Sequence, residues 1–439
     1  MKRNPAIILA MLLCITLVFS GCSAINGSSS PATTAAPTTA TVHLQADNLM
    51  ADIKAAAWPA TPGAPDAETV AGISRFSANL LLESVKNKGN VMISPASVFL
   101  ALAMTLNGAD GKTKSDMLQV MADQGITLDM VNETSRNWVS RLIQNSDKTI
   151  LAIANSIWFD QNFQPDQSFL QRNADFFMAG ASKLDFGDEA SPDVINAWVK
   201  DATRGTIPKI VDKIPTSTVM YLINSVYFKS DWLTPFEKAL TRKQTFNTPN
   251  GAITTEFMNR TDKIGYFSGN GAAGVTLPYE NGKFAYFALL PDGQTTPREW
   301  LAQQEATALF SAITGMMAQK ANFTVNLLMP RFEATYEDAL NNELVTLGMG
   351  DAFDGGLADF SQLNAAHSKG LYISEVKHKT FIRVDEKGTE AAAVTSVAID
   401  ESMPEYDKEL ILDRPFIYGI VDLATGLPLF VGILENPAE

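Results

Sequence analysis

Residues Asp385 to Pro404 read DEKGTEAAAVTSVAIDESMP, and the reading of this stretch decides the fold. It follows an alternating apolar run, Tyr372 to Val384, with the period of a long strand. After Gly388 come small residues and then β-branched ones, with no proline before Pro404. In an extended ribbon, alternate positions put Thr389, Ala391, Ala393, Thr395, Val397 and Ile399 on one face. That face carries no formal charge. The other holds Glu390, Ala392, Val394, Ser396, Ala398 and Asp400, and suits water. A surface helix, favoured by the alanines, and a plain edge strand are the ordinary readings. The pattern also fits a segment that is a loop in one setting and a buried strand in another. The rest of the chain separates them.

The chain has 439 residues, 46% hydrophobic and 19% charged, the balance of a globular protein. A formal net charge of −14 argues against nucleic acid, heparin-like polyanions or an anionic lipid surface as direct partners. At the start, Lys2 and Arg3 precede an uncharged apolar run, Ala6 to Phe19, too short to span a bilayer. Val18-Phe19-Ser20-Gly21-Cys22 resembles a bacterial lipobox, with Phe19 where leucine is usual. The expectation is a lipoprotein signal over residues 1–21, removed on export, and lipidation of Cys22. An ordinary cleaved signal peptide is the alternative.

Residues 22–68 are expected to be a flexible tether, rich in Ser, Thr, Ala and Pro as far as about residue 47. The only cysteines are Cys14 and Cys22. If the first leaves and the second carries lipid, the folded part has no thiol. Disulfides, cysteine metal sites and a cysteine nucleophile are then excluded. Stability must come from core burial.

From Thr69 to Glu439 there is no second linker and no repeat, so residues 69–439 are expected to be one domain. Ile73, Phe76, Leu80 and Val85 mark an amphipathic helix. Asn90–Ile93 is a short strand; Ser94 caps a helix beginning at Pro95, running to Leu106 and stopped by Gly108. Thr113 with Asp116 starts the next helix, and Trp138 with Leu142 lies on another. Ile150–Phe159 and Val219–Phe228 are apolar strands, with a helix opening at Ser191-Pro192 between them. Asn250-Gly251 and Asn281-Gly282 are hairpin turns, and Glu337–Leu347 is expected to be a helix. Further strands fall near Leu410–Leu412, Phe416–Val421 and Leu427–Leu434. Helices dominate the first half and antiparallel strands the second. The class is α+β.

With these landmarks placed, several blocks resemble the serpin family, in the family's order. They are NVMISPASVFLALAMTLNGADGKT (90–113), LAIANSIWF (151–159), INAWVKDATRGTIPKIV (195–211) and INSVYFKSDW (223–232). LGMGDAF (347–353), ADFS (358–361), VKHKTFIRVDEKGTEAAA (376–393) and DRPFIYGIVDLATGLPLFVGILENP (413–437) complete the set. The resemblance implies three β-sheets, about nine helices and an exposed reactive loop between strands ending near Glu386 and beginning near Leu410. It implies a suicide-type inhibitor of serine endopeptidases, and of some cysteine proteases, that traps the acyl-enzyme by inserting its cleaved loop into the central sheet. Such a protein is not an enzyme. It needs no metal or other cofactor, and works as a monomer on a target protease.

Residue by residue, the resemblance makes Glu386, Gly388, Thr389, Glu390, Ala391, Ala392 and Ala393 the loop's hinge. Ser94, Ser97, Asn224 and His378 match the cluster beneath the sheet, and Trp232 the tryptophan where insertion begins. Counting from the hinge puts the scissile bond at Ser402–Met403; counting back from Arg414-Pro415 lands on Pro404, about two residues later. Met403–Pro404 is a poor bond because proline follows it. Ile399, Asp400 and Glu401 stay open. Small or aliphatic residues there suit an elastase- or subtilisin-like target and Asp400 or Glu401 an acid-specific one, while the lack of a basic residue argues against a trypsin-like one.

The rivals are an enzyme and a non-inhibitory relative serving as a surface binding module. Against an enzyme, the histidines are only His43, His367 and His378, and no GxSxG, HExxH or GxxxxGK[ST] occurs. Against the binding module, the inward face of the loop is uncharged.

Overall fold

Local signals place the helices. Asp66 accepts from the Thr69 amide at 2.8 Å and starts α1 (Ala67–Ser84), which buries Ile73, Phe76 and Leu80. Ser94 accepts from the Ser97 amide at 3.3 Å to start α2 (Pro95–Leu106), an almost wholly buried helix. Helix α3 (Gly111–Met121) differs from expectation. Its cap is Asp110, because the Thr113 hydroxyl is buried and accepts from the Asp359 amide instead. The others are α4 (Leu128–Leu142), α5 (Gln167–Phe177), α6 (Ser191–Ala202), α7 (Pro297–Ala302), α8 (Leu309–Ala318) and α9 (Asn341–Leu344).

The structure, a computed structural model, describes residues 45–143, 146–216, 218–318, 321–389 and 405–439. Its early strands are β1 (Asp47–Asn48), β2 (Val91–Ile93), β3 (Thr149–Asp160), β4 (Gly180–Leu184), β5 (Met220–Asp231) and β6 (Arg242–Thr248). Then come β7 (Gly251–Gly269), β8 (Ala272–Pro278), β9 (Phe284–Pro291), β10 (Ala321–Pro330) and β11 (Phe332–Ala339). The last are β12 (Lys377–Val384), β13 (Gly388–Thr389), β14 (Lys408–Ile411), β15 (Phe416–Asp422) and β16 (Pro428–Leu434).

A large seven-stranded sheet has the order β1-β4-β3-β5-β13-β12-β11. The remaining strands follow the path β14-β10-β7-β8-β9-β15-β16-β2, with β6 added on β7. Strand β7 is 19 residues long and pairs along its length with β6, β10 and β8. Hydrogen bonding therefore runs unbroken through the two smaller sheets of the expected three. Alternation along β3 sends Ile157 into the main core, with α2, and Trp158 to the opposite face. There α6 covers the sheet with Ile195 and Val199.

Three local expectations are corrected. Glu337 belongs to β11, not to a helix, because it pairs with Lys379 across the antiparallel ladder to β12. The helix begins only at Asn341. Strand β12 starts at Lys377, not Tyr372; the preceding residues run beside Ala352, whose carbonyl accepts from the Ile373 amide. Finally, residues 45–66 do not hang free as the end of a tether. Asp47 and Asn48 pair with Lys183 and Ser182 of β4, and Leu49, Met50, Ile53 and Trp58 pack on the main core. Four large apolar side chains in ten residues give this segment enough to bury.

Candidate functional site

At the top of the large sheet, β12 ends at Val384 and the chain turns tightly back. The Asp385 amide donates to the Gly388 carbonyl at 3.0 Å. The Asp385 carboxylate accepts from the Lys387 and Gly388 amides at 2.9 and 3.3 Å. Gly388 and Thr389 then pair with Asp231 and Ser230 of β5 on one side, and Thr389 pairs with Val384 of β12 on the other. Here the structure departs from the reading of a loop exposed from about Glu386 onward, at Gly388 and Thr389. Asp385, Glu386, Gly388 and Thr389 are all buried. Only glycine fits at 388, since a Cβ there would overlap the Ser230 carbonyl oxygen. Burial pushes the Asp385 carboxyl above its usual range, against the two amides that favour its charge.

Trp232 anchors this turn. Its indole N–H donates to the Asp385 carbonyl at 2.9 Å and its amide to the Lys387 carbonyl at 2.8 Å. Its ring stacks on Tyr279 with centroids 4.8 Å apart. Two contacts lay outside the reach of sequence reasoning. The Tyr279 hydroxyl is 2.6 Å from the Thr389 hydroxyl, and Thr241 donates to the Glu386 carboxylate at 2.8 Å. Neither tyrosine nor threonine carries a signal at those positions until the strands are brought together.

Below the hinge, the residues singled out on α2, β5 and β12 meet. The Ser94 amide donates to Nε2 of His378 at 3.0 Å, so that nitrogen carries no proton. Burial of the ring agrees, lowering the His378 pKa from 6.5 to about 4. The Ser97 hydroxyl donates to the Asn224 side-chain oxygen, and Asn224 donates to the side chain of Asn155. Asn155 passes the chain on to the Phe177 carbonyl at 2.7 Å. Asn155 escaped the sequence reading. Its signal is an asparagine within the apolar run Ile150–Phe159.

Between β5 and β12 the sheet is parted. Among the described residues no ladder joins these strands; β13 bridges them only at the top. A narrow cavity of about 30 Å³ lies between them, and a second, of about 70 Å³, lies between the start of β5 and residues 370–374, which precede β12. The first is lined by Ser97, Leu222, Asn224 and His378, the second by Thr105, Met220, Leu371 and Ile373. Glu390, Ala391, Ala392, Ala393, Ser402, Met403 and Cys22 lie outside the described residues.

Comparison with known proteins accords with this architecture. Residues 71–437 match the family model for serpin, serine protease inhibitor. An uncharacterized serpin-like protein of Thermococcus kodakarensis is 33% identical, over 84% of this chain and 86% of its own length. Human leukocyte elastase inhibitor is 28% identical over 83% of this chain and 98% of its own. The crystal structure of the thermophilic serpin tengpin in its native state superposes with a TM-score of 0.82. It is 38% identical, covering 90% of this chain and all of that one. The chain belongs to the serpin family. That family is one of protease inhibitors with inhibitory members among the relatives here, and it acts on proteases rather than catalysing a reaction of its own.

Proposed function

We propose that this chain is a suicide-type inhibitor of serine endopeptidases, and of some cysteine proteases, acting outside the cytoplasm. A target attacks a carbonyl within residues 399–404, best at Ser402–Met403; the Met403 amine leaves and the Ser402 carbonyl becomes the acyl group. The freed arm then continues the strand that β13 starts. Ala391, Ala393, Thr395, Val397 and Ile399 turn inward, and the acylated protease is carried the length of the sheet.

The observation supporting this most directly is the seat of Gly388 and Thr389, in register between two strands that have no ladder to one another among the described residues. An arm of about 14 residues from Thr389 spans about 46 Å at roughly 3.3 Å each. Holding an acyl-enzyme for hours rather than ~0.1 s means slowing deacylation about 10⁵-fold, or about 7 kcal/mol. Losing one oxyanion donor gives only about 10²–10³-fold. The protease site as a whole must therefore be distorted by a taut arm.

The small and aliphatic residues of the window suit an elastase- or subtilisin-like target, in keeping with the name of the human relative; Asp400 or Glu401 would suit an acid-specific one. Incubation with such proteases should give a covalent complex that survives boiling in detergent. Complete conversion to cleaved protein, with no complex, rejects the proposal. Lipid on Cys22 would hold the monomeric domain at a bacterial membrane or cell surface. Intact mass measurement of the exported protein should show a diacylated Cys22, and an unmodified N-terminus would reject the anchor in favour of secretion.

A further inference from the structure

The stretch from Leu233 to Lys243, which runs into β6, presents an apolar and, on balance, basic surface on an otherwise acidic protein. Leu233 and Leu240 are 58% and 41% exposed, and Lys238, Arg242 and Lys243 are exposed beside them. From residue 233 to 255 Glu237 is the one acidic residue, against a net charge of −14 for the whole chain, and Glu256 stands opposite Lys243 on β7.

These leucines are not exposed because the segment is loose. Phe236 between them is buried, its amide donates to the Glu386 carbonyl at 2.7 Å, and the Leu233 amide donates to the Pro278 carbonyl at 3.0 Å. The Arg260 guanidinium lies over the Phe236 ring and donates to the Thr234 carbonyl. The leucines are thus held out on a rigid support, the condition under which contact is gained with little ordering cost.

The support also stands at both roots of the reactive loop. Thr241 bonds Glu386 at the entry side, and the Asn247 amide at the far end of β6 donates to the Asp413 carbonyl at 2.7 Å on the return side. Among the described residues β6 pairs only with β7. We propose that Leu233, Lys238, Leu240, Arg242 and Lys243 form a secondary docking surface for the target protease, and that the protease rim meeting it is acidic. This rests on the inhibitor reading, because it takes the protease to be the partner that approaches the loop. At physiological salt the screening length is about 8 Å, so a docked partner meets these local bases and not the distant net charge. The surface would set encounter rate and choice of target, while the loop sets the chemistry.

The test separates docking from trapping. A subtilisin inactivated at its catalytic serine is used as the probe, in native form and with its lysines succinylated to carry negative charge. Binding of the succinylated probe should weaken about tenfold or more in the K238E/R242E/K243E variant, and the loss should shrink in high salt. The L233A/L240A variant should weaken binding of both forms alike. Equal binding of the succinylated probe by the wild-type and charge-reversed proteins overturns the proposal. Active subtilisin is run in parallel. Failure of the wild-type protein to form a detergent-stable complex counts against the inhibitor reading, while the inactive probe still reports on the surface.

Discussion

The Tyr279 and Thr389 hydroxyls lie 2.6 Å apart, buried at the top of the large sheet and 110 positions apart in the chain. This bond joins the first inward-facing loop residue to the ring on which Trp232 stacks. Thr389 is therefore held as strand before any protease arrives. Tyr279→Phe removes the bond and keeps the packing, and should loosen the seat by about 1 kcal/mol. Hydrogen exchange at the Thr389 amide should speed up about fivefold. Unchanged exchange would mean that the ladder alone holds the hinge.

Thr389→Arg tests the inward face. Thr389 is 2% exposed, and an arginine there would bury a charge with no carboxylate of the hinge ladder facing it, costing several kcal/mol. Insertion should slow relative to deacylation, so the covalent complex should fall tenfold or more while cleaved product rises. An unchanged yield of complex contradicts the role given to this face.

The legible parts of the fold were those written locally. Ser94 and Pro95 announce α2, and Gly251 and Gly282 announce hairpins. What escaped was decided by distant partners. Thr113 looked like a cap but its hydroxyl serves Asp359, and Glu337 looked helical but is fixed by Lys379 across a ladder. In the site, Ser94, Ser97, Asn224, His378 and Trp232 could be placed by resemblance. Asn155, Thr241 and Tyr279 could not, since each gains its meaning from a residue on another strand or turn.

His378 predicts an acid sensitivity. Its pKa falls from 6.5 to about 4 on folding, so the native state binds fewer protons than the unfolded chain between those values. The sign follows: the contribution is fully present above about pH 6.5 and is lost as pH falls toward 4. Its size is about 3 kcal/mol. Urea unfolding of the native form should show the advantage of wild type over His378→Gln shrinking from pH 7 to pH 4. A constant difference across that range would mean that the ring does not titrate as its burial requires.

Cleavage within residues 399–404 should also stabilise the molecule, because the inserted arm adds a ladder and buries Val397 and Ile399. A dozen ladder bonds at about 1 kcal/mol each would raise Tm by of order 10–20 °C. An unchanged Tm would remove the metastability on which trapping depends.

The most direct measurement of the central claim is amide hydrogen exchange over β5, β12 and residues 390–401, before and after nicking the loop with a protease that is then removed. Insertion predicts strong new protection at 390–401, together with added protection along the facing edges of β5 and β12. Rapid exchange at 390–401 in the nicked protein, with β5 and β12 unchanged, would contradict it.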